Sequence, residues 1–158
     1  MPEQHASAET RVSRVIKASP DTLYGAFTDA AALVAWLPPG NMTGEIHAFD
    51  ARVGGGYRMS LFYPEDEETY RGKTSDREDM VDVRFVELMP PRRIVETVRF
   101  ISRDPAFAGE MTIVVTFEEV PGGTDVTFFC KNLPPGLRPE DNEAGSRLSL
   151  EQLARRYE

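Results

Sequence analysis

The sequence is poor in the residues that build disulfides and metal sites. Cys130 is the only cysteine, so no internal disulfide can form and an oxidising compartment is not required. Of the two histidines, only His47 lies outside the first nine residues. Because zinc sites need several His, Cys or carboxylate ligands at set spacings, we expect no metal and no other cofactor.

Long hydrophobic runs are also missing. No stretch approaches the ~20 apolar residues of a membrane-spanning helix, and residues 1–9 show neither an apolar run nor a basic start. Residues 1–9 are polar and small, so they would bury little surface if they were ordered. We therefore expect a flexible tail. A cytoplasmic protein without a membrane partner is predicted.

Positive charge is in deficit. The 26 Asp and Glu residues outnumber the 18 Lys and Arg residues, and the net charge is −8. This excess repels nucleic-acid phosphates, so nucleic acid is not an expected partner. A chain of 158 residues is close to the common size of one domain, and we expect residues 10–158 to form it. A homodimer remains compatible with the sequence.

The hydrophobic period predicts a strand, two short helices, about six antiparallel strands and a long helix. Ser19 and Asp29 are predicted caps of the short helices, and two prolines stop the second helix. The strands are expected at residues 10–18, 45–53, 57–63, 80–88, 93–101, 110–120 and 124–132. Residues 64–79 are charged and aperiodic, which favours a loop at a pocket entrance with a short strand at 69–73.

The last helix is predicted over residues 140–157, with Pro139 at its first position and Leu150 and Leu153 on its buried face. The first half of that face carries Gly145, Ser146 and Ser149, which are too small to fill the space beneath the helix. A cavity between the helix and the sheet is therefore expected. The residues predicted to border it are Trp36, Met59, Leu61, Val83, Phe85, Glu96, Val98, Phe100, Met111, Ile113, Val115, Ser146, Ser149 and Leu150.

Glu96 is the one charged member of the predicted pocket. It shares a strand face with Val98 and Phe100, so a buried Glu96 would orient a ligand or act as a general base with a raised pKa. A structural role or an exposed position at the sheet edge is the alternative. Cys130 lies on an apolar strand face, which favours core packing over a nucleophilic role.

Several motifs together resemble the SRPBCC superfamily, and more narrowly the homologues of the C-terminal domain of the heat-shock-chaperone ATPase activator. The motifs are RVIKASP (14–20), WLPP (36–39), DARVGGGYR (50–58), FVELMPPRRIV (85–95) and EAG (143–145) with Leu150 and Leu153. The resemblance implies an α+β helix-grip fold of the START and birch-pollen-allergen type. It also implies a hydrophobic pocket. Related sequences often have Trp where this chain has Ser146, which points to a large pocket.

Three classes of function remain open at this stage. A protein that binds a small hydrophobic molecule needs only a preformed apolar pocket with few polar groups, which the pattern provides. An enzyme similar to polyketide cyclases would need converging acid and base groups, and Glu96 is the one candidate. A chaperone partner is implied by family analogy alone. No residue is predicted to be catalytic.

Overall fold

The computed structural model describes residues 8–64 and 78–158. Within these residues, seven strands form one antiparallel sheet, in the order β1-β7-β6-β5-β4-β3-β2. The strands are β1 (Thr10–Ile16), β2 (Thr43–Asp50), β3 (Gly56–Phe62), β4 (Glu78–Met89), β5 (Arg93–Phe100), β6 (Met111–Val120) and β7 (Gly123–Lys131). This order puts β5 at the centre of the sheet and β1 and β2 at its edges.

Two short helices follow β1, as predicted. They are α1 (Pro20–Phe27) and α2 (Ala30–Trp36). The Ser19 hydroxyl accepts a hydrogen bond from the Thr22 N–H at 3.2 Å, and the Asp29 carboxylate accepts one from the Ala31 N–H at 3.0 Å. Each cap satisfies an N–H group that the helix itself leaves unpaired, and both predicted caps are confirmed.

The long helix α3 (Pro139–Tyr157) ends the chain and crosses the sheet. It begins at Pro139, the predicted first helical position, and carries acidic residues in its first turn and Arg155 and Arg156 in its last. These charges complement the helix dipole. Leu150 and Leu153 are 1% and 0% exposed, which confirms the predicted buried face. The α+β helix-grip fold is confirmed.

Some boundaries differ from the prediction. Strand β2 was predicted over residues 45–53, but it ends at Asp50. A turn begins there, in which the Gly55 N–H donates a hydrogen bond to the Arg52 carbonyl. A short 3-10 helix (Pro105–Phe107), which has no hydrophobic period, was not predicted. The predicted strand at 69–73, most of the predicted loop at 64–79 and residues 1–7 of the predicted tail lie outside the described residues.

None of the helices within residues 8–64 and 78–158 combines the length and the apolar character that crossing a membrane requires.

Candidate ligand-binding cavity

Two side chains in the middle of α3 form hydrogen bonds to the backbone at the end of α2. The Ser149 hydroxyl donates a hydrogen bond to the Leu37 carbonyl at 2.7 Å. The Gln152 amide donates to the carbonyls of Trp36 and Pro38 at 2.7 and 2.8 Å. These carbonyls belong to the last turn of α2 and the residues after it, so the bonds both satisfy them and fix the position of α3. Ser149 was predicted only as a small residue, and Gln152 was not predicted.

The first half of α3 leaves space beneath it. A Cβ atom added to Gly145 would find no atom within 4 Å, and Ser146 is only half-buried. A cavity of about 1020 Å³ lies between this part of the helix and the sheet. Ligand pockets in proteins are typically about 300–1,000 Å³, so this cavity could hold a sizeable organic molecule. The sequence predicted its position from the small residues of α3.

Most of the residues that the sequence predicted for the pocket do border this cavity. They come from the central strands and from the first half of α3, and their alternation along each strand brings them to one face. They are Met59, Leu61, Val83, Glu96, Val98, Phe100, Met111, Ile113, Val115, Ser146 and Ser149. Their role in ligand binding remains a prediction.

Trp36 does not border the cavity. It is 1% exposed, and its indole N–H donates a hydrogen bond to the Ala26 carbonyl at 3.0 Å. The centroids of its ring and of the Phe27 ring lie 4.7 Å apart, and the two rings meet edge-on between the two short helices. Phe27 and Leu33 border the cavity on this side instead. The prediction that Trp36 borders the cavity was wrong, because its indole N–H needs a buried acceptor, and a backbone carbonyl of α1 supplies one.

Phe85 and Leu150 also lie away from the cavity, in the closed core. Phe85 is 1% exposed and contacts the rings of Phe49 and Tyr57 beside the first hairpin. Leu150 lies one turn beyond Ser146, where α3 is already held against α2, so no space remains around it. Both residues have the predicted inward orientation, but the cavity ends before it reaches them.

Other residues of the cavity wall were missed by the sequence reasoning. Two segments close one end of the cavity. One is the 3-10 helix with Phe107, and the other is the stretch just before α3 with Leu137. The Gly136 N–H donates to the Ala106 carbonyl at 2.7 Å, which ties these two segments together. Neither segment has a helical or strand period that could have revealed its orientation. Phe128 also borders the cavity and lies two residues before Cys130, on the strand face that the sequence predicted to be apolar.

Glu96 lies on the central strand β5, opposite Ile113 of β6 and Phe85 of β4. The side chain is half-buried and borders the cavity. Burial raises the pKa of Glu96 to about 7. The central place of β5 in the sheet excludes the edge-exposed alternative, while a structural role for Glu96 stays an alternative. With this pKa, the Glu96 carboxyl exchanges its proton near neutral pH.

A small polar cluster lies where β1, β7 and α3 meet. The Thr10 hydroxyl donates a hydrogen bond to the Asn142 side chain, and both side chains contact the thiol of Cys130. Burial raises the pKa of Cys130, the two hydrogen bonds oppose this rise, and the negative charge of Glu96 adds to it. A thiol with a raised pKa stays protonated and is a poor nucleophile, in agreement with the predicted packing role.

His47 contributes to no metal site in the described part of the chain, where no group of three His, Cys, Asp or Glu residues could hold an ion. Its Nε2 atom lies 2.8 Å from the Ser60 hydroxyl, which donates a hydrogen bond to Glu78 at 2.6 Å. Ser60 is 0% exposed, so no substrate can reach this hydroxyl. These contacts tie β2, β3 and β4 together.

A curved antiparallel sheet around one long helix, with a cavity between the two, defines the helix-grip class of proteins. Within that class, the chain belongs to the family described as Activator of Hsp90 ATPase homolog 1-like protein, whose sequence model matches residues 17–158. This result confirms the resemblance found in the motifs. Among curated proteins, none matches this chain.

Solved structures of bacterial proteins share the fold along almost the whole chain. A protein from Chromobacterium violaceum is 32% identical, with a TM-score of 0.83 over 94% of this chain and 96% of that chain. A protein from Rhizobium loti is 27% identical, with a TM-score of 0.73 over 94% and 95% of the two chains. A solution structure from Staphylococcus epidermidis is 19% identical, with a TM-score of 0.72 over 98% and 92%, and this likeness shows the fold alone.

Proposed function

We propose that this protein binds a small, largely apolar molecule in the cavity between α3 and the sheet. The observation that carries the proposal is the void of about 1020 Å³ beneath Gly145 and Ser146. Protein interiors normally leave few voids larger than a water molecule, because side chains interdigitate. A space of this size with largely aliphatic and aromatic walls is the kind of site that binds organic ligands.

The way in which α3 is held supports the same proposal. Ser149 and Gln152 fix the middle of the helix to the end of α2, and the Asn142 side chain meets Thr10 of β1. The segment between these attachments therefore spans the cavity without collapsing into it. A preformed site of this kind avoids much of the ordering cost that binding would otherwise incur.

The proposal is tested with the neutral fluorescent probe N-phenyl-1-naphthylamine, whose emission rises in apolar surroundings. The parent protein is expected to bind it, and the Ser146→Trp variant is expected to lose binding because the indole occupies the cavity. The melting temperature of this variant should change little, since the ring fills existing space. Overpacking of a closed core would instead cost about 1–3 kcal/mol.

Arg147→Trp is the matched control. It adds the same ring one residue further along α3, where the side chain is 63% exposed. This variant should keep probe binding. The proposal fails if the parent protein does not bind the probe, or if Ser146→Trp and Arg147→Trp bind it equally well.

A second candidate function is an enzyme that uses Glu96 as a general acid or base. The observation that favours it is the position of the Glu96 carboxyl at the cavity wall, where burial raises its pKa to about 7, a value that suits proton transfer at neutral pH. Native mass spectrometry of the purified protein separates the two candidates. A bound molecule that stays unchanged on incubation supports binding, whereas conversion of that molecule supports catalysis. A chaperone partner remains a hypothesis that rests on family analogy.

A further inference from the structure

In the part of the chain that the structure describes, the charged side chains that border the cavity are acidic. Among residues 8–64 and 78–158, they are Asp79, Glu96, Asp104 and Asp141, and no Lys, Arg or His joins them. The whole chain has a net charge of −8. A ligand with a carboxylate or phosphate group would thus enter a site of its own sign, without a counter-charge from the described residues to offset the loss of hydration.

Glu96 differs from the other three carboxylates, each of which is either hydrogen-bonded or exposed. Asp79 accepts a hydrogen bond from the Tyr63 hydroxyl at 2.8 Å, and Asp104 accepts one from the Ala106 N–H at 2.9 Å. Asp141 is exposed in the first turn of α3. Glu96 lies half-buried on the central strand and borders the cavity, and no described residue forms a hydrogen bond or ion pair with it.

An unpartnered carboxyl group in an apolar cavity is unfavourable for folding, because buried polar groups normally form hydrogen bonds. A hydrophobic side chain at this position of β5 would remove that cost. A group on a ligand that pairs with Glu96 would also remove it, but only in the complex. The position of Glu96 therefore points to the polar part of the ligand.

Aromatic rings accompany this carboxyl group. Tyr57, Phe27 and Phe128 border the same cavity, and Tyr57 is close enough to Glu96 for the carboxylate charge to contribute to the raised pKa of the phenol. Aromatic rings attract cations through their negative faces, and a carboxylate attracts them through its full charge. A carboxylate accompanied by aromatic rings, with no basic side chain among the described residues of the cavity, favours ammonium groups.

We infer that the cavity takes a hydrophobic amine, a molecule with an apolar body and a single basic nitrogen whose ammonium group pairs with the Glu96 carboxylate. This inference rests on the proposed binding function and adds the chemical class of the ligand. The apolar body would occupy the space beneath Gly145 and Ser146. A fatty acid of the same length would be a poor ligand.

The protonation state of Glu96 decides the conditions of the test. Among the described residues, the titratable groups that border the cavity with it are Tyr57 from β3, Tyr63 just after β3, Cys130 from β7, Asp141 from α3, and Asp79 and Asp104. Burial raises the pKa of the Tyr57 phenol and of the Cys130 thiol, so both remain neutral at about pH 8. At that pH the Glu96 carboxyl is mostly ionised, while an alkylamine is still protonated.

The experiment compares decylamine, decanol and decanoate as competitors for bound N-phenyl-1-naphthylamine at about pH 8, below their aggregation concentrations. The three molecules share one chain and differ in head-group charge. Decylamine should displace the probe at a concentration about tenfold lower than decanol, and decanoate should be the weakest. Equal displacement by decylamine and decanol, or the strongest displacement by decanoate, would overturn the inference.

Glu96→Gln and Glu118→Gln form the matched pair of variants. Both remove one negative charge, but Glu118 is exposed on β6 and does not border the cavity. Glu96→Gln should make decylamine and decanol equal, whereas Glu118→Gln should keep the parent's preference. If Glu96→Gln keeps the preference, general attraction to an acidic protein explains it and the inference fails. Failure of the proposed binding function is distinguishable, because the parent would then not bind the probe.

Discussion

The two halves of α3 meet the sheet in different ways. In the second half, Leu150, Leu153 and Ala154 are at most 1% exposed and belong to the core. In the first half, Gly145 and Ser146 border the cavity. One helix thus stabilises the fold with its second half and forms the roof of the candidate site with its first half. Changes to stability and changes to binding should therefore be separable along a single helix.

The largest effect is expected from Leu153→Ala in the packed half. Leu153 is 0% exposed, and truncation leaves a cavity that the surrounding core cannot fill. Such changes typically cost about 2–5 kcal/mol. Denaturant unfolding measures the loss, with Leu148→Ala as the control, because Leu148 is 42% exposed. Equal unfolding midpoints for the two variants would contradict a packed second half.

An effect of intermediate size is expected from Glu96→Gln beneath the open half. The pKa of Glu96 is about 7 in the folded protein, and the ordinary value is 4.5. The folded state therefore binds more protons between these values, so the parent protein loses stability as the pH rises from about 4.5 to about 7. Glutamine lacks this dependence.

Glu96→Gln should therefore exceed the parent in stability at about pH 8, by up to about 3 kcal/mol, and differ little at about pH 4.5. Thermal unfolding of the variant and the parent across this range measures the difference. Glu118→Gln should show no such trend with pH. A difference that stays constant from acid to alkaline pH would mean that the Glu96 carboxyl is hydrated like a surface group.

The smallest effect is expected from Gly145→Ala in the open half. The added methyl group meets no atom within 4 Å, and alanine favours the helix by about 0.5–1 kcal/mol over glycine. The variant should therefore unfold at a slightly higher temperature. Gly136→Ala is the opposite case, because its Cβ would lie 2.9 Å from the Phe107 ring and should destabilise. A loss of stability in Gly145→Ala would indicate that the space beneath α3 is closed.

The fold was predictable because it depends on local patterns. The cap at Ser19, the apolar alternation along β6 and β7, and the charges at the ends of α3 each act within a few residues. The hairpins β2-β3, β4-β5 and β6-β7 follow from the short connections between their strands. The 3-10 helix at Pro105–Phe107 escaped prediction since it has no repeating pattern.

The candidate site was only partly predictable. Strand alternation shows that a residue such as Val98 or Phe85 points inward, but not whether it meets the cavity or the closed core. Trp36 illustrates the same limit, because its indole N–H binds the Ala26 carbonyl of the preceding helix. The predicted role of residues 64–79 at the entrance stays a prediction, as most of that segment lies outside the described residues.

The sequence by itself determined the helix-grip fold, the family and the small residues on the first half of α3. Helix and strand propensities, the hydrophobic period and the order of the motifs are all properties of the sequence. Only the tertiary structure decided where the cavity ends and which carboxyl group lies inside it. Those features depend on side chains from distant segments, such as Ser149 against Leu37 and Glu96 opposite Ile113. The physical reason is that packing and burial depend on neighbours in space. The alternation along a single strand shows only whether a side chain points inward or outward.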